Sequence, residues 1–301
     1  MWTSLCGFAV RPAAAAAVLG LFLAGGCGDL FTGDGGTERR NWAVIVGISS
    51  YQSPALNLKW ADEDALDFYD ALRRGKNWET DRITLLTNSS ATKEAIKSAI
   101  AGLAKRVSAD DQVVFYFSGR GSYGTDQPPF DEGDGIDEYL VPYDALLSST
   151  ARDLSDDDIE ALFSALPTNN VVIILDAGFA GSSSRAGTPS GKEKCVVRAG
   201  GGRAVAPRSV DGMGHDLARP GYVFITAAQG GSAPSESSQL RNGVFTHYFV
   251  EGLRGPANPG RRTVSTQQAF EYAASRTSAF ESGQSPQLLD NRGKEFRLAI
   301  F

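Results

Sequence analysis

The sequence predicts an α/β fold with a mainly parallel central sheet and helices on both of its faces, a three-layer α/β/α arrangement. Two observations carry this. Strand and helix patterns alternate from Asn41 onward, and the strands are continuous apolar runs such as "VVIILD", Val171 to Asp176, rather than alternating ones. A strand covered on one face alternates apolar with polar residues, whereas a strand covered on both faces is apolar throughout.

The elements follow in order. "NWAVIVG", Asn41 to Gly47, is a buried-strand run. "ADEDALDFYDALRRG" puts Ala61, Ala65, Phe68 and Leu72 on one helical face before Gly75 ends it. "RITLLT" is a second strand, and Thr92 caps a helix whose Ile96, Ile100 and Leu103 face inward. "QVVFYFSG", Gln112 to Gly119, is a third strand. Ser155 and Asp158 have capping-box spacing ahead of "DDDIEALFSAL", which stops at Pro167 and leads into "VVIILD". Residues 182–220, rich in Gly, Ser, Lys and Arg without apolar periodicity, read as an irregular, exposed loop. Beyond it come the strand "YVFITAA", the helix "GVFTHYFVEGL", a second capping box of Ser265 and Gln268 opening "TQQAFEYAASRTSAF", and a last short strand in "EFRLAI". Residues 41–301 form one domain.

The first residues stand outside it. An apolar, alanine-rich run from Ala13 to Leu23 follows Arg11 and is the length of a signal-peptide core, too short for a membrane span. It closes as "LFLAGGC", which resembles the lipobox of bacterial lipoproteins, with the usual Leu one place too far upstream. Residues 1–27 are therefore expected to be an export signal, Cys27 the lipidated residue, and 28–40 a flexible tether. The expected location is exported and membrane-anchored, on the periplasmic or cell-surface side. Of the three cysteines, Cys6 would leave with the signal and Cys27 would carry lipid, so Cys195 alone remains in the domain and no disulfide can form within it.

Charge and motif narrow the function. A net charge of -6 argues against a nucleic-acid partner, because a phosphate-binding surface needs a basic excess. "GRGSYG", Gly119 to Gly124, matches G-x-G-x-x-G after a strand, but the following "TDQPPFDEGDG" cannot open the helix whose amides would hold pyrophosphate. Nucleotide binding is not expected.

Six segments taken together point elsewhere. "NWAVIVGISSYQSPALNLKWADEDA", "FYFSGRGSYG", "DEGDGIDEYLVPYDA", "IILDAGFAGS", "FITAAQGGSAPSE" and "NGVFTHYFVEGL" occur in this order, and order and wording resemble the caspase-like cysteine peptidases, metacaspases and their bacterial relatives above all. The resemblance runs from Asn41 to Leu253 and implies a caspase-like fold. In that family the third strand ends in Ser-Gly-His-Gly and the fourth in a motif carrying the nucleophilic cysteine. A thiol must be deprotonated to attack an amide carbon, and a base must reprotonate the leaving amine. Here the histidine position is Arg120 and the cysteine position Gly178, followed by Phe179 and Ala180. A guanidinium stays protonated and glycine has no side chain, so neither can serve. Loss of one member of such a unit costs about a million-fold in turnover in a well-studied serine protease.

The resemblance leaves the binding half in place. It implies an acidic pocket for Arg or Lys built on Asp176, with walls from Ala227, Ala228 and Glu236. Asp176 could stay open to a basic peptide side chain, pair internally with Arg120, or accept the following backbone amides. Cys195, in "GKEKCVVR", is the fallback nucleophile: Lys192, Lys194 and Arg198 would lower its pKa if packed against it, with His215 or His247 as base. The alternative is a solvated loop thiol and a half-buried helical His247. Asp134, Asp156 and Asp157 are weak calcium candidates, since some metacaspases bind calcium with acids in these regions; a first-turn helix-dipole role explains the triplet Asp156 to Asp158 equally. The expectation is an exported pseudoprotease acting by protein or peptide binding, with a partner offering basic side chains. The competing expectation is an active cysteine endopeptidase of basic-residue preference that uses Cys195.

Overall fold

The computed structural model describes residues 39–128, 135–179, 193–196, 213–217, 219–229 and 232–301, with the backbone alone at His215 and Asp216. The signal, the lipobox with Cys27, most of the tether, Asp134 and most of the 182–220 loop lie outside the described residues. In chain order the elements are β1 (Asn41–Gly47), α1 (Ala61–Arg73), β2 (Ile83–Thr87), α2 (Lys93–Leu103), β3 (Gln112–Ser118), β4 (Gly121–Thr125), β5 (Ile136–Leu140), β6 (Leu154–Ser155), α3 (Asp156–Ser164), β7 (Val171–Asp176), α4 (Met213–Asp216), β8 (Tyr222–Thr226), β9 (Glu236–Ser237), β10 (Asn242–Gly243), α5 (Val244–Leu253), β11 (Thr263–Ser265), α6 (Thr266–Phe280), β12 (Gln287–Asp290) and β13 (Arg297–Ile300).

The central sheet runs β12-β8-β7-β3-β1-β2. Its pairings β2 to β1, β1 to β3, β3 to β7 and β7 to β8 are parallel, and β12 closes the β8 edge antiparallel. The apolar runs are buried along their whole length in β1, β3 and β7, as burial of both faces requires. One face packs Ile96 and Ile100 of α2 with Ile159 and Phe163 of α3; the other packs Ala65 and Phe68 of α1 with Phe245 and Phe249 of α5. Phe68 stacks on Tyr116 with ring centroids 4.5 Å apart.

One local expectation is corrected. At α3 the Ser155 hydroxyl accepts the Asp158 amide, but the Asp158 carboxylate does not return to cap Ser155: it pairs with Lys93 and Lys97 at 2.9 and 3.1 Å, two ammonium groups on the neighbouring α2. The Ser265–Gln268 box at α6 is complete. The short strand expected in "EFRLAI" is β13, which joins β11 in a separate two-stranded sheet, while β12 takes the edge of the central sheet. After the third strand the chain folds back as β4 on β5, which pairs with β6, in a small antiparallel sheet.

Candidate functional site

β3 and β7 are neighbours in register, Ser118 opposite Asp176, so their carboxyl ends deliver two adjacent loops to one edge of the sheet, where open α/β sheets place their ligands. The loop after β3 carries Gly119, Arg120 and Gly121; the loop after β7 carries Ala177 and Gly178. The loops touch through bare backbone: a β-carbon on Gly121 would lie 2.3 Å from the Gly178 carbonyl oxygen. Glycine at 121 is what allows this approach.

Between the loops lies the chain's own segment Glu193–Val196, and its Lys194 is fully buried. The Lys194 ammonium is 2.7 Å from Asp64 Oδ2 and 3.0 Å from Asp176 Oδ2, and it donates to the Ser118 hydroxyl at 2.8 Å. Ser118 donates in turn to Asp64 Oδ2 at 2.7 Å, the Gly243 amide to Asp64 Oδ1 at 2.7 Å, and the Thr246 hydroxyl to Asp176 Oδ2 at 2.6 Å. Burial by itself would strip the proton from Lys194; Asp176 and Asp64 outweigh it and raise the ammonium's pKa above the ordinary lysine value. Burial pushes the Asp176 carboxyl up, Lys194 opposes this, and Asp64 adds to it. Gly243 forms the floor, since a β-carbon there would stand 2.4 Å from Asp176 Oδ2 and 2.5 Å from the Lys194 nitrogen.

The Lys194 main chain is held as firmly as its side chain. Its carbonyl oxygen accepts from the Gly121 and the Gly178 amides, both at 2.9 Å, and its amide donates to the Pro234 carbonyl at 2.8 Å. Two N–H groups converging on one carbonyl are the arrangement that stabilises an oxyanion in acyl transfer. The Val196 amide continues the pairing by donating to the Gly121 carbonyl at 2.9 Å, so residues 193–196 lie extended in the cleft.

Arg120 is 1% exposed, and its side chain reaches several main-chain carbonyls. Its guanidinium donates to the carbonyls of Leu56 at 3.0 Å, Asn57 at 3.0 Å and Cys195 at 3.1 Å, and to that of Glu193; its own amide donates to the Tyr51 hydroxyl at 2.7 Å. Of the partners proposed for Asp176, a basic side chain takes the carboxylate, but it is the chain's own Lys194, while Arg120 bonds to carbonyls. Cys195 does reach the site, its β-carbon 3.2 Å from where one on Gly178 would sit. It is buried rather than solvated, and Lys194, expected to activate it, faces the carboxylates instead. Burial pushes the Cys195 thiol up to about 12, which Arg120 only partly offsets.

The remaining candidates play other parts. Glu236 accepts the Lys59 and Trp60 amides at 2.8 and 2.7 Å, fixing the chain as it enters α1, and acts on Lys194 only at a distance. Ala228 is buried past the end of β8 and its carbonyl accepts the Thr226 hydroxyl. His247 is half-buried on α5 with its ring edge-on to Tyr248. Asp156 accepts the amides of Glu138 and Asp157, one on each oxygen. Among the described residues no group of three or more His, Cys, Asp or Glu side chains could hold a metal ion.

The sequence that forms these loops matches the Caspase domain family model over residues 40–296. The chain belongs to the caspase-domain family. Metacaspase-3 of Arabidopsis thaliana is 30% identical over 238 residues, which cover 71% of this chain and 60% of that protein. Metacaspase-1 of Meyerozyma guilliermondii is 31% identical over 129 residues, 41% of this chain and 30% of that one. The caspase-domain chain thus matches less than two thirds of these relatives' length. A solved structure from Geobacter sulfurreducens superposes with a TM-score of 0.62 over 87% of this chain and 99% of its own, at 17% identity, and shows the fold alone.

Asp64, Ser118, Gly243 and Thr246 escaped the sequence reading, and so did the role of Lys194. Asp64 carried a signal: on the α1 face of Ala61, Ala65 and Phe68 it is an acid among apolar residues, and a buried acid needs a partner.

Proposed function

We propose that this caspase-domain protein is a pseudoprotease: an exported, lipid-anchored module whose cleft binds a basic peptide side chain without cutting the peptide. The observation that carries the reading is the Lys194 carbonyl, held by two amides beside Gly178 and Arg120. The carbonyl sits between two amides as an oxyanion would, yet Gly178 and Arg120 beside it offer neither a nucleophile nor a base, and the buried Cys195 thiol is pushed up to about 12. The reading is supported also by Asp64 and Asp176, whose buried carboxylates hold the Lys194 ammonium.

An active peptidase using Cys195 is favoured only by that residue's nearness to Gly178. A thiol at about 12 supplies almost no thiolate at neutral pH, and its neighbour Arg120 cannot accept a proton. Purified protein should leave arginine-ended fluorogenic peptides uncut, with Cys195→Ser changing nothing. Turnover that disappears in Cys195→Ser would overturn the reading. Introducing the residues that the family resemblance expects, Gly178→Cys with Arg120→His, should produce self-cleavage, and the cut is expected between Lys194 and Cys195 because the Lys194 carbonyl is the one that accepts both amides. Intact-mass analysis reads that position directly; a folded double variant that stays whole, or cuts elsewhere, would count against the pose.

A further inference from the structure

A protease and a peptide trap make different demands on the residue after the bound lysine. A protease must let that side of the chain go after the cut, whereas a trap that never cuts gains by gripping both sides. The cleft grips both. Arg120 reaches the carbonyls of Glu193 and Cys195, which flank that of Lys194, and Gly121 bonds to Lys194 and to Val196. The space a side chain at 178 would need is already bordered by the Cys195 β-carbon at 3.2 Å and by Pro234 and Ala233 at 3.0 and 3.2 Å, so residues 178 and 195 compete for one volume.

We propose that the two positions where the family resemblance expects the catalytic pair have become a recognition element for the residue after the lysine. Arg120 clamps the main chain on both sides, and the bare Gly178 makes room for a small side chain. The ligand class is an extended, uncut peptide carrying Lys, or Arg in its place, followed by a small residue such as Cys, Ala or Ser. The Glu193–Val196 segment is its resident copy, and a partner peptide enters by displacing it. This rests on the non-cutting reading above and adds the specificity that the reading leaves open.

Two experiments test it in the full-length chain. In the first, trypsin probes the Lys194–Cys195 bond, which the buried lysine protects. Gly178→Val should raise nicking there at least tenfold by crowding Cys195, and adding Cys195→Gly should restore protection. In the second, acetyl-Glu-Lys-X-Val-amide peptides are titrated into Lys194→Ala, whose pocket lacks its lysine. X as Ala or Ser should bind at least tenfold tighter than X as Leu, and Arg120→Lys in that background should weaken every peptide about tenfold. If Lys194→Ala does not fold, the trypsin experiment decides alone. Unchanged nicking in Gly178→Val, or equal binding of the Ala and Leu peptides, overturns the clamp while leaving the non-cutting reading intact. Peptides recovered cut after the lysine would overturn that reading instead, whatever their selectivity.

Discussion

Lys194 concentrates the electrostatics of the cleft in one residue. Its ammonium faces two buried carboxylates, and without it Asp64 and Asp176 would share a dry pocket with no cation. Removing one member of a buried ion cluster typically costs about 3–5 kcal/mol, because the charge left behind keeps its desolvation penalty. Lys194→Met should lose stability of that order at pH 7. The loss should shrink toward pH 5, since an unpaired buried carboxylate takes up a proton and the folded state then gains as pH falls. Urea denaturation at the two pH values checks this; an equal loss at both would mean that the pocket had opened to water. Arg120 shows the same logic with another outcome. A guanidinium cannot shed its charge, so the fold surrounds it with carbonyl oxygens, and those of Glu193 and Cys195 tie the segment down.

At the scale of elements, the helix starts show how far local chemistry carries. Thr92, Ser155 and Ser265 were legible as caps because capping depends on residues three apart along the chain, and each hydroxyl accepts the amide expected of it. The α3 and α6 caps differ in that only at α6 does the N-cap amide, that of Ser265, donate back to its partner's side-chain oxygen, Gln268 Oε1. Ser155→Ala and Ser265→Ala should each cost about 1 kcal/mol, and Gln268→Ala, which removes the acceptor of the Ser265 amide, should carry a loss of its own of about 1 kcal/mol, read from thermal or urea unfolding. Unchanged stability in Gln268→Ala would show that the return bond contributes nothing. The small β4-β5-β6 sheet was not legible in "DEGDGIDEYLVPYDA". Its strands pair across the chain and bury the acids Asp137 and Glu138, so neither an alternating pattern nor an apolar run marks them.

For the whole molecule, buried acids set opposite limits on stability with pH. Burial raises Asp156 from an ordinary 3.8 to about 7, with Asp137 adding to it and the amides of Glu138 and Asp157 opposing. Its folded pKa exceeds the unfolded one, so its stabilising protonation is complete below about pH 4 and is lost as pH rises toward 7. Asp158 and Asp111 go the other way. Burial would raise both, but Lys93 and Lys97 hold Asp158 low, and the Ser108 and Arg40 amides with the Trp42 indole hold Asp111 low. Their contribution is present above about pH 4 and is lost as pH falls further. Asp156→Asn should flatten the decline between pH 4 and 7, and Asp158→Asn the acid limb, in stability measured against pH; parallel curves for wild type and variants would refute the assignment. The sequence alone determined the layers of this protein, the order of its principal strands and the family it resembles, because apolar runs, caps and motifs act over a few neighbouring residues. It also named Asp176, Arg120 and Gly178. Only the tertiary structure decided what fills the pocket. Asp64, Ser118, Asp176 and Lys194 are separated by up to 130 positions, and nothing in their local patterns states that a lysine from a polar loop would be drawn in. Two carboxylates at a buried sheet edge require a cation, and the fold met that requirement from within the chain.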